Sequence, residues 1–391
     1  MHHHAGAPGV TAPQTIIQRL ILHDFRNYRH VDLEPSPAVN VLLGRNAQGK
    51  TNLLESVLFL GLGKSPRTGR DGELVRWGCR VASAAALVKK RDSTGKLQIV
   101  VSVDAPKRIT WNDGPLRPRD ALGLLTTVSF FPDDLYLVKG GPAQRRRLLD
   151  VLLSQADAKY ARHLIRYHRI LRHRNVQLKA LQGRSRGGEL LEVWNQQLLE
   201  EAVPVMVARA RAVHRLAEAA GRVHGAMTEG RERLQLVYKP FFAGDEEQEP
   251  DAAWQDPGAV AALFRAALER LERDELRRGV SLAGPQRDDV RFIIDGADAR
   301  TYASQGQQRT AVLAVKLAEL DFLQAETGEH PVLLLDDVLS ELDPVRRGFL
   351  LETVADHVQT FITTANPEPL SERLMKAARV FRVHQGTVTP A

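Results

Sequence analysis

The sequence predicts an α/β domain built from both ends of the chain around an inserted α-helical domain. Three observations carry that reading. Near the start, the apolar run "VNVLL" passes through a glycine-rich turn into a stretch with helical apolar spacing. Near the end, a second apolar run, Val332 to Leu335, stops on Asp336 and Asp337. Between them, residues 141–279 show apolar positions every three or four residues, the mark of long helices.

The first element is a strand, a turn and a helix in that order. Gly44, Arg45, Asn46, Ala47, Gln48, Gly49, Lys50 and Thr51 fit a phosphate-binding loop, with Asn52 continuing into the helix. Glycines let backbone N–H groups turn toward an anion, and the helix start adds its positive end. Lys50 would reach the β- and γ-phosphates of a nucleotide, and the Thr51 hydroxyl would hold Mg²⁺. A chance Gly/Lys turn would match the bare pattern. The apolar strand before it and the helix spacing of Leu53, Leu54, Val57 and Leu58 after it exclude that reading. The helix itself reads as amphipathic.

Composition frames the rest. With 391 residues, 43% hydrophobic and 26% charged, the chain can bury a sizeable core and suits two or three domains. One cysteine, Cys79, excludes an internal disulfide and a cysteine-based zinc cluster, and fits a reducing cytoplasm. No stretch is apolar enough for a membrane span. Residues 1–14 read as a tag or disordered tail, so their histidines carry no metal argument. The net charge is +7, but residues 141–186 hold twelve Lys/Arg against only Asp150 and Asp157. A polyanion is the natural partner for such a segment.

The layout follows. Residues 15–140 are strand-rich, with a hairpin around residues 104–107 and a turn at "NDGP". Residues 141–279 form the helical insertion, broken by the acidic loop "FFAGDEEQEPDAAWQDPG". Residues 280–391 return to strands, with "VRFIID", "PVLLLDDV" and "TFITT", and complete the first domain.

An apolar strand ending in two aspartates is expected of a buried parallel strand that stops at a site. Asp336 would hold Mg²⁺ and Asp337 would orient or deprotonate an attacking water. A surface Asp-Asp turn is the plain alternative, but such a turn rarely follows so apolar a strand. About thirty residues earlier, "TYASQGQQRTAVLAVKL" places Ser304 as the N-cap of a long helix. Alone that is an ordinary capped helix. Its position ahead of the carboxylate strand is where ATP-binding-cassette proteins carry their signature.

These residues resemble the RecF family of bacterial recombination-repair ATPases. The likeness covers nearly all of the chain after the tail, through "DFRNYRHVDLEP", "GRNAQGKTNLLES", "GKSPRTGRDGELVRWG", "FFPDDLYLVKGGPAQRRRLLD", "SLAGPQRDDV", "SQGQQR" and "LLLDDVLSELD". It implies an ABC-type, SMC/Rad50 head-like P-loop ATPase domain. It also implies a Walker A loop at Gly44 to Thr51, a Walker B aspartate at Asp336 and a water-orienting carboxylate at Asp337. Ser304, Gln305 and Gly306 match the signature, which meets the γ-phosphate held by the other protomer, and Ser340 to Asp343 match the D-loop. Arg67 resembles the arginine of an SMC-type loop. Thr363 or Thr364 stands where transporters have a switch histidine, and Asp133 or Asp134 stands in for the missing Q-loop glutamine. Gln286 replaces the histidine of the family's GPHRDD pattern.

The resemblance further implies slow hydrolysis stimulated by DNA, an ATP-dependent homodimer and a nucleoid-associated cytoplasmic protein. Its implied partners are a RecR-type mediator and a RecA-type recombinase. A transporter subunit would share the Walker and signature motifs but not the basic insertion. A P-loop small-molecule kinase would lack the signature. The residues themselves point to duplex DNA: Lys159, Arg162, Arg166, Arg169 and His173 recur at spacings of three and four, on one helical face. Charge on a helix is ordinarily just solvated, but here the segment offers almost no acids to cancel it.

Overall fold

The computed structural model describes residues 14–182, 188–243, 253–354, 358–366, 370 and 372–391. Residues 1–13 of the expected tail and residues 244–252 of the expected acidic loop lie outside them. The chain divides into two compact units, one running to Pro132 and resuming over Leu320–Ala391, the other Asp133–Glu319. No helix among the described residues is long and apolar enough to cross a membrane.

The first unit holds two six-stranded sheets. One is antiparallel and contains β1 (Ile16–Phe25), β2 (Tyr28–Leu33), β4 (Val81–Lys89), β5 (Thr94–Ser102), β6 (Arg108–Trp111) and β7 (Gly114–Leu116), in the order β2-β1-β4-β5-β6-β7. The expected hairpin is the β5–β6 connection, and Asn112 and Asp113 turn the chain from β6 to β7, both with positive φ. The other sheet contains β3 (Val39–Leu43), β8 (Thr127–Phe130), β12 (Val332–Asp336), β13 (Thr360–Thr364), β14 (Arg379–His384) and β15 (Thr387–Pro390), in the order β15-β14-β3-β13-β12-β8. It is parallel except for the β14–β15 hairpin.

Helix α1 (Lys50–Leu62) packs in one core with apolar side chains of both sheets, among them Ile17, Leu22, Val88, Leu42, Leu334 and Phe361. It is therefore buried continuously from Leu53 to Gly61 and is not amphipathic, contrary to the sequence reading. A helix covered by sheets on more than one side has no wet face to keep polar. The short α2 (Pro118–Ala121) lies within the same unit.

The second unit contains α3 (Tyr136–Lys139), α4 (Pro142–Ala156), α5 (Ala158–Leu181), α6 (Gly188–Met227), α7 (Pro257–Arg278), α8 (Ala299–Tyr302) and most of α9 (Gln305–Thr327). Asp157 caps α5 through Lys159 N at 2.7 Å, and Asp256 caps α7 through Ala259 N at 2.9 Å. Helices α10 (Pro344–Val354) and α11 (Glu372–Ala377) return to the first unit.

The compact boundaries differ from the expected 141 and 279. The strand "VRFIID" is β10 (Asp289–Ile294), and it pairs along its length with β9 (Leu234–Lys239), which the sequence reading did not anticipate. β11 (Ala297–Asp298) completes this three-stranded sheet. Asp289 also receives Arg145 of α4, at 2.6 and 2.9 Å. Pairing and ion bridge together group residues 280–319 with the helices.

Two of the family-like motifs meet in this unit. From "PAQRRRLLD", Arg145 binds Asp289, Arg146 donates to Asp288 O at 2.8 Å and Asp150 accepts Arg209 at 2.7 Å. From "GPQRDD", buried Asp288 receives Arg209, Tyr238 and the Phe241 N–H, while Gln286 accepts from Tyr167 and donates to Ala283 O at 2.8 Å. Burial pushes the Asp288 carboxyl above its ordinary value, against the pull of Arg209. Arg174 is likewise buried, held by Glu275 at 2.6 Å, Ser281 at 2.7 Å and Asn195 at 2.9 Å.

The charge counted along residues 141–186 therefore overstates the surface charge, because acids distant in sequence neutralise Arg145 and Arg174. Removing one partner of such a pair strands the other. Arg174→Ala should cost about 3–5 kcal/mol of stability, read as a lowered urea midpoint, and Arg174→Met with Glu275→Leu should recover part of the loss.

Candidate nucleotide site and basic helix face

The loop after β3 is shaped by neighbours that leave no room for side chains. A Cβ on Gly44 would lie 2.3 Å from Val383 O, and Gly49 has φ 115° with Asn27 closing over it. Asn27 Nδ2 donates to Gln48 O at 3.1 Å and the Tyr28 hydroxyl to Gly49 O at 2.8 Å. From the β14–β15 turn, Gln385 N reaches Gln48 Oε1 at 2.8 Å and Gly386 N reaches Gln48 O at 3.3 Å. Arg45, Asn46 and Ala47 are exposed at the tip. No side chain caps α1 and its first turn has no acid, so the positive end of the helix carries no anionic group of its own there.

Lys50 folds back on this loop, donating to Gly44 O at 2.6 Å and Arg45 O at 3.0 Å. Burial lowers its ammonium below the ordinary value, and the Asp337 and Asp336 carboxylates pull it back up. Lys50, Asp336 and Asp337 thus act on one another electrostatically.

The structure brings Thr51 and Asp336 together. Thr51 Oγ1 donates to the Asp336 carboxylate at 2.9–3.0 Å, and Thr363 Oγ1 of β13 donates to it at 2.7 Å. Thr363 Oγ1 also accepts the Asp337 N–H at 3.0 Å, and Asp337 sits in the left-handed region at φ 54°. Backbone strain of this kind concentrates where a side chain must be aimed. Of the two threonines weighed at the switch position, Thr363 meets the carboxylates, while Thr364 Oγ1 donates to Asn366 O at 2.6 Å. Among the described residues no cluster of three or more His, Cys, Asp or Glu could hold a metal. The hydroxyl–carboxylate pair fits Mg²⁺ nonetheless, since that ion takes few protein oxygens and completes its shell with water and phosphate.

Arg67 lies at the first turn of α1, its Nη1 2.8 Å from Asn52 Oδ1 and 3.0 Å from Glu55 Oε2. Asn52 donates to Asn27 Oδ1 at 2.8 Å. Neither Asn27 nor Glu55 was singled out from sequence. "FRNY" sat within a family-like stretch, yet nothing in its spacing shows that it folds over the phosphate loop.

Ser304, Gln305 and Gly306 belong to the second unit. Ser304 Oγ accepts the Gln307 N–H at 3.2 Å and Ser304 N donates to Gln307 Oε1 at 2.8 Å, a reciprocal cap at the start of α9. Asp134 faces Lys316 of α9 at 3.5 Å, and Lys316 also holds Glu319 at 3.1 Å. Burial pushes the Glu319 carboxyl up to about 7. Asp133 remains exposed.

On α5, Lys159, Arg162, Arg166, Arg169 and His173 are all exposed. Arg166 reaches Glu201 of α6 at 3.5 Å, and His163 shares that acid at 2.7 Å. Local cancellation is therefore present at Arg166, supplied by a helix that a count along α5 could not see. Arg162 and Arg169 have no acid within ion-pair distance among the described residues.

A phosphate-type loop between a parallel strand and a buried helix, with a strand-end carboxylate joined to the threonine that opens that helix, defines a P-loop head. The RecF/RecN/SMC N-terminal domain model matches residues 16–389. The DNA replication and repair protein RecF of Symbiobacterium thermophilum is 46% identical over 374 residues, 95% of this chain and 97% of the relative. Its Bacillus subtilis counterpart is 40% identical over 373 residues, 95% of this chain and 99% of the relative. The structure of the recombination mediator protein RecF with ATP matches with a TM-score of 0.87 and 31% identity, covering 100% of both chains. An Smc head domain from Pyrococcus furiosus shares the fold alone, with a TM-score of 0.55 and 15% identity over 97% of this chain and 96% of that one. The chain belongs to the RecF family.

Asp337→Asn should retain ATP but lose hydrolysis by about a hundredfold or more, measured as phosphate release. Lys50→Ala should abolish ATP binding itself. Unchanged turnover in Asp337→Asn would move the water-orienting group elsewhere.

Proposed function

We propose that this chain is an ATP-dependent DNA-binding protein of recombinational repair and replication. It binds ATP, dimerises on duplex DNA near gaps and promotes recombinase loading, and slow DNA-stimulated hydrolysis resets the clamp. The convergence of Thr51, Asp336 and Thr363 beside the phosphate loop supports this reading most directly. The relatives named for DNA replication and repair, and the ATP-bound recombination mediator, support the same pathway.

In this reading Lys50 and the α1 N-terminus bind the triphosphate, with Arg67, Asn52 and the loop from Gly44 to Gly49 around it. Thr51 and Asp336 would hold Mg²⁺, which supplies charge neutralisation on the phosphates. Asp337, fixed through its N–H to Thr363, orients the water. Ser304, Gln305 and Gly306 complete the site of a second protomer, so two copies enclose two nucleotides. The first compact unit acts as the head and the second, with residues 280–319 grouped in it, as the helical lobe. A RecR-type mediator and a RecA-type recombinase are the partners, at the nucleoid.

The α5 face carries duplex DNA through its phosphates. Arginines at helical spacing displace counterions, and no aromatic series accompanies them to stack unpaired bases.

Two outcomes test the reading. Ser304→Arg should leave ATP binding intact and block ATP-dependent dimers in sedimentation; dimers in that variant would remove the signature assignment. Arg162, Arg166 and Arg169 all changed to alanine should weaken duplex binding and flatten the log–log salt slope by about 2–3, leaving ATP binding alone. Unaltered affinity at every salt concentration would take the DNA off this face.

A further inference from the structure

Arg67 is held at both ends by one buried group. The Glu55 side chain is wholly buried one turn beyond Thr51, and its Oε2 accepts Arg67 Nη1 at 3.0 Å. Its Oε1 accepts the Ser65 hydroxyl at 2.6 Å, and that hydroxyl in turn accepts the Arg67 N–H at 3.0 Å. Arg26 binds the same carboxylate through Nε at 3.0 Å and Nη2 at 2.6 Å. Two guanidinium groups against one carboxylate leave an excess positive charge beside the phosphate loop.

Neutralising Arg26 alone would not require Glu55 to reach a second, half-exposed arginine. Among the described residues only Nη1 of the Arg67 guanidinium is engaged, by Glu55 and Asn52. The remaining N–H donors are available to an anion, for which a planar fork is well suited. Asn52 continues the path through Asn27 to Gln48 O in the loop. Arg67 is therefore fixed in a defined place before any nucleotide arrives.

We propose that Glu55 is a positioning residue for nucleotide binding, holding Arg67 across the first turn of α1 as a preorganised cation in addition to Lys50. The proposal rests on the ATP-binding reading above. Preorganisation gains affinity by removing the ordering cost of a long side chain at the moment of binding.

The test is a mutant cycle on the full chain, with ATP affinity measured by titration calorimetry and folding by thermal melting. Arg67→Ala should weaken ATP binding about tenfold, the loss of one charge-assisted contact. Glu55→Gln should weaken it similarly, and the double variant should be no more than about twofold worse than either single. Arg26→Ala should lower the melting temperature yet leave ATP affinity within about twofold. Arg67→Lys keeps the charge without the fork and should bind as weakly as Arg67→Ala, which preserves the test if Glu55→Gln does not fold. Losses that multiply in the double variant would overturn the proposal. So would an Arg26→Ala loss as large as that of Glu55→Gln, or parental affinity in Arg67→Lys. Retained ATP binding in Lys50→Ala would instead overturn the nucleotide reading itself, a separate failure.

Discussion

A carboxylate buried at the end of a parallel strand must be satisfied from several directions, and the head is arranged around that requirement at Asp336. Thr51 on α1 and Thr363 on β13 each commit their one hydroxyl proton to it. Thr363 then has a lone pair left for the N–H of Asp337, which itself turns left-handed. One buried charge thereby couples the phosphate helix, two adjacent strands and the side chain expected to face the water. Leaving such a group unmatched costs more than any of these bonds gains, so the arrangement behaves as a unit.

The second unit solves a similar problem with arginines. Arg209 and Arg145 reach aspartates from segments far apart in sequence, and tyrosine hydroxyls fill the remaining acceptor positions. Burying ionic groups is a weak source of stability compared with apolar packing. What the network supplies is register: α4, α6 and the turn before β10 can meet in few ways that satisfy every donor. Beside it, Gln286 accepts from Tyr167 and donates to Ala283 O, so the departure from the family's histidine leaves a side chain bonded at both amide atoms.

Much of this was legible in the sequence because the informative patterns were local. The strand, loop and helix around Lys50 lie within one continuous stretch, and an apolar strand ending in two aspartates needs no partner to be recognised. The cap at Ser304 was readable for the same reason. Contacts between distant segments were not readable. "LQLVYK" is short and follows helices, so β9 appears only once β10 is there to pair with it. The charge of residues 141–186 looked unopposed because Asp289, Glu275 and Glu201 come from other helices and strands. The apolar spacing of α1 suggested a wet face, and only the second sheet shows that there is none. Glu55 carried no signal in the sequence, because its partners Arg26, Ser65 and Arg67 lie outside the helix that bears it.

The phosphate loop is encoded near the start of the chain but finished by its end. β3 is flanked by β13 and β14, and the turn after β14 supplies N–H groups to Gln48 while Val383 O closes over Gly44. During synthesis at about 5–20 residues per second, the loop waits for its last neighbours until β14 and β15, more than three hundred residues later, have emerged. A nascent product that already contains α5 but not β14 and β15 consequently lacks the neighbours that close over Gly44 and Gln48. Closure of the phosphate loop is thus placed after translation of the helical unit that precedes these strands.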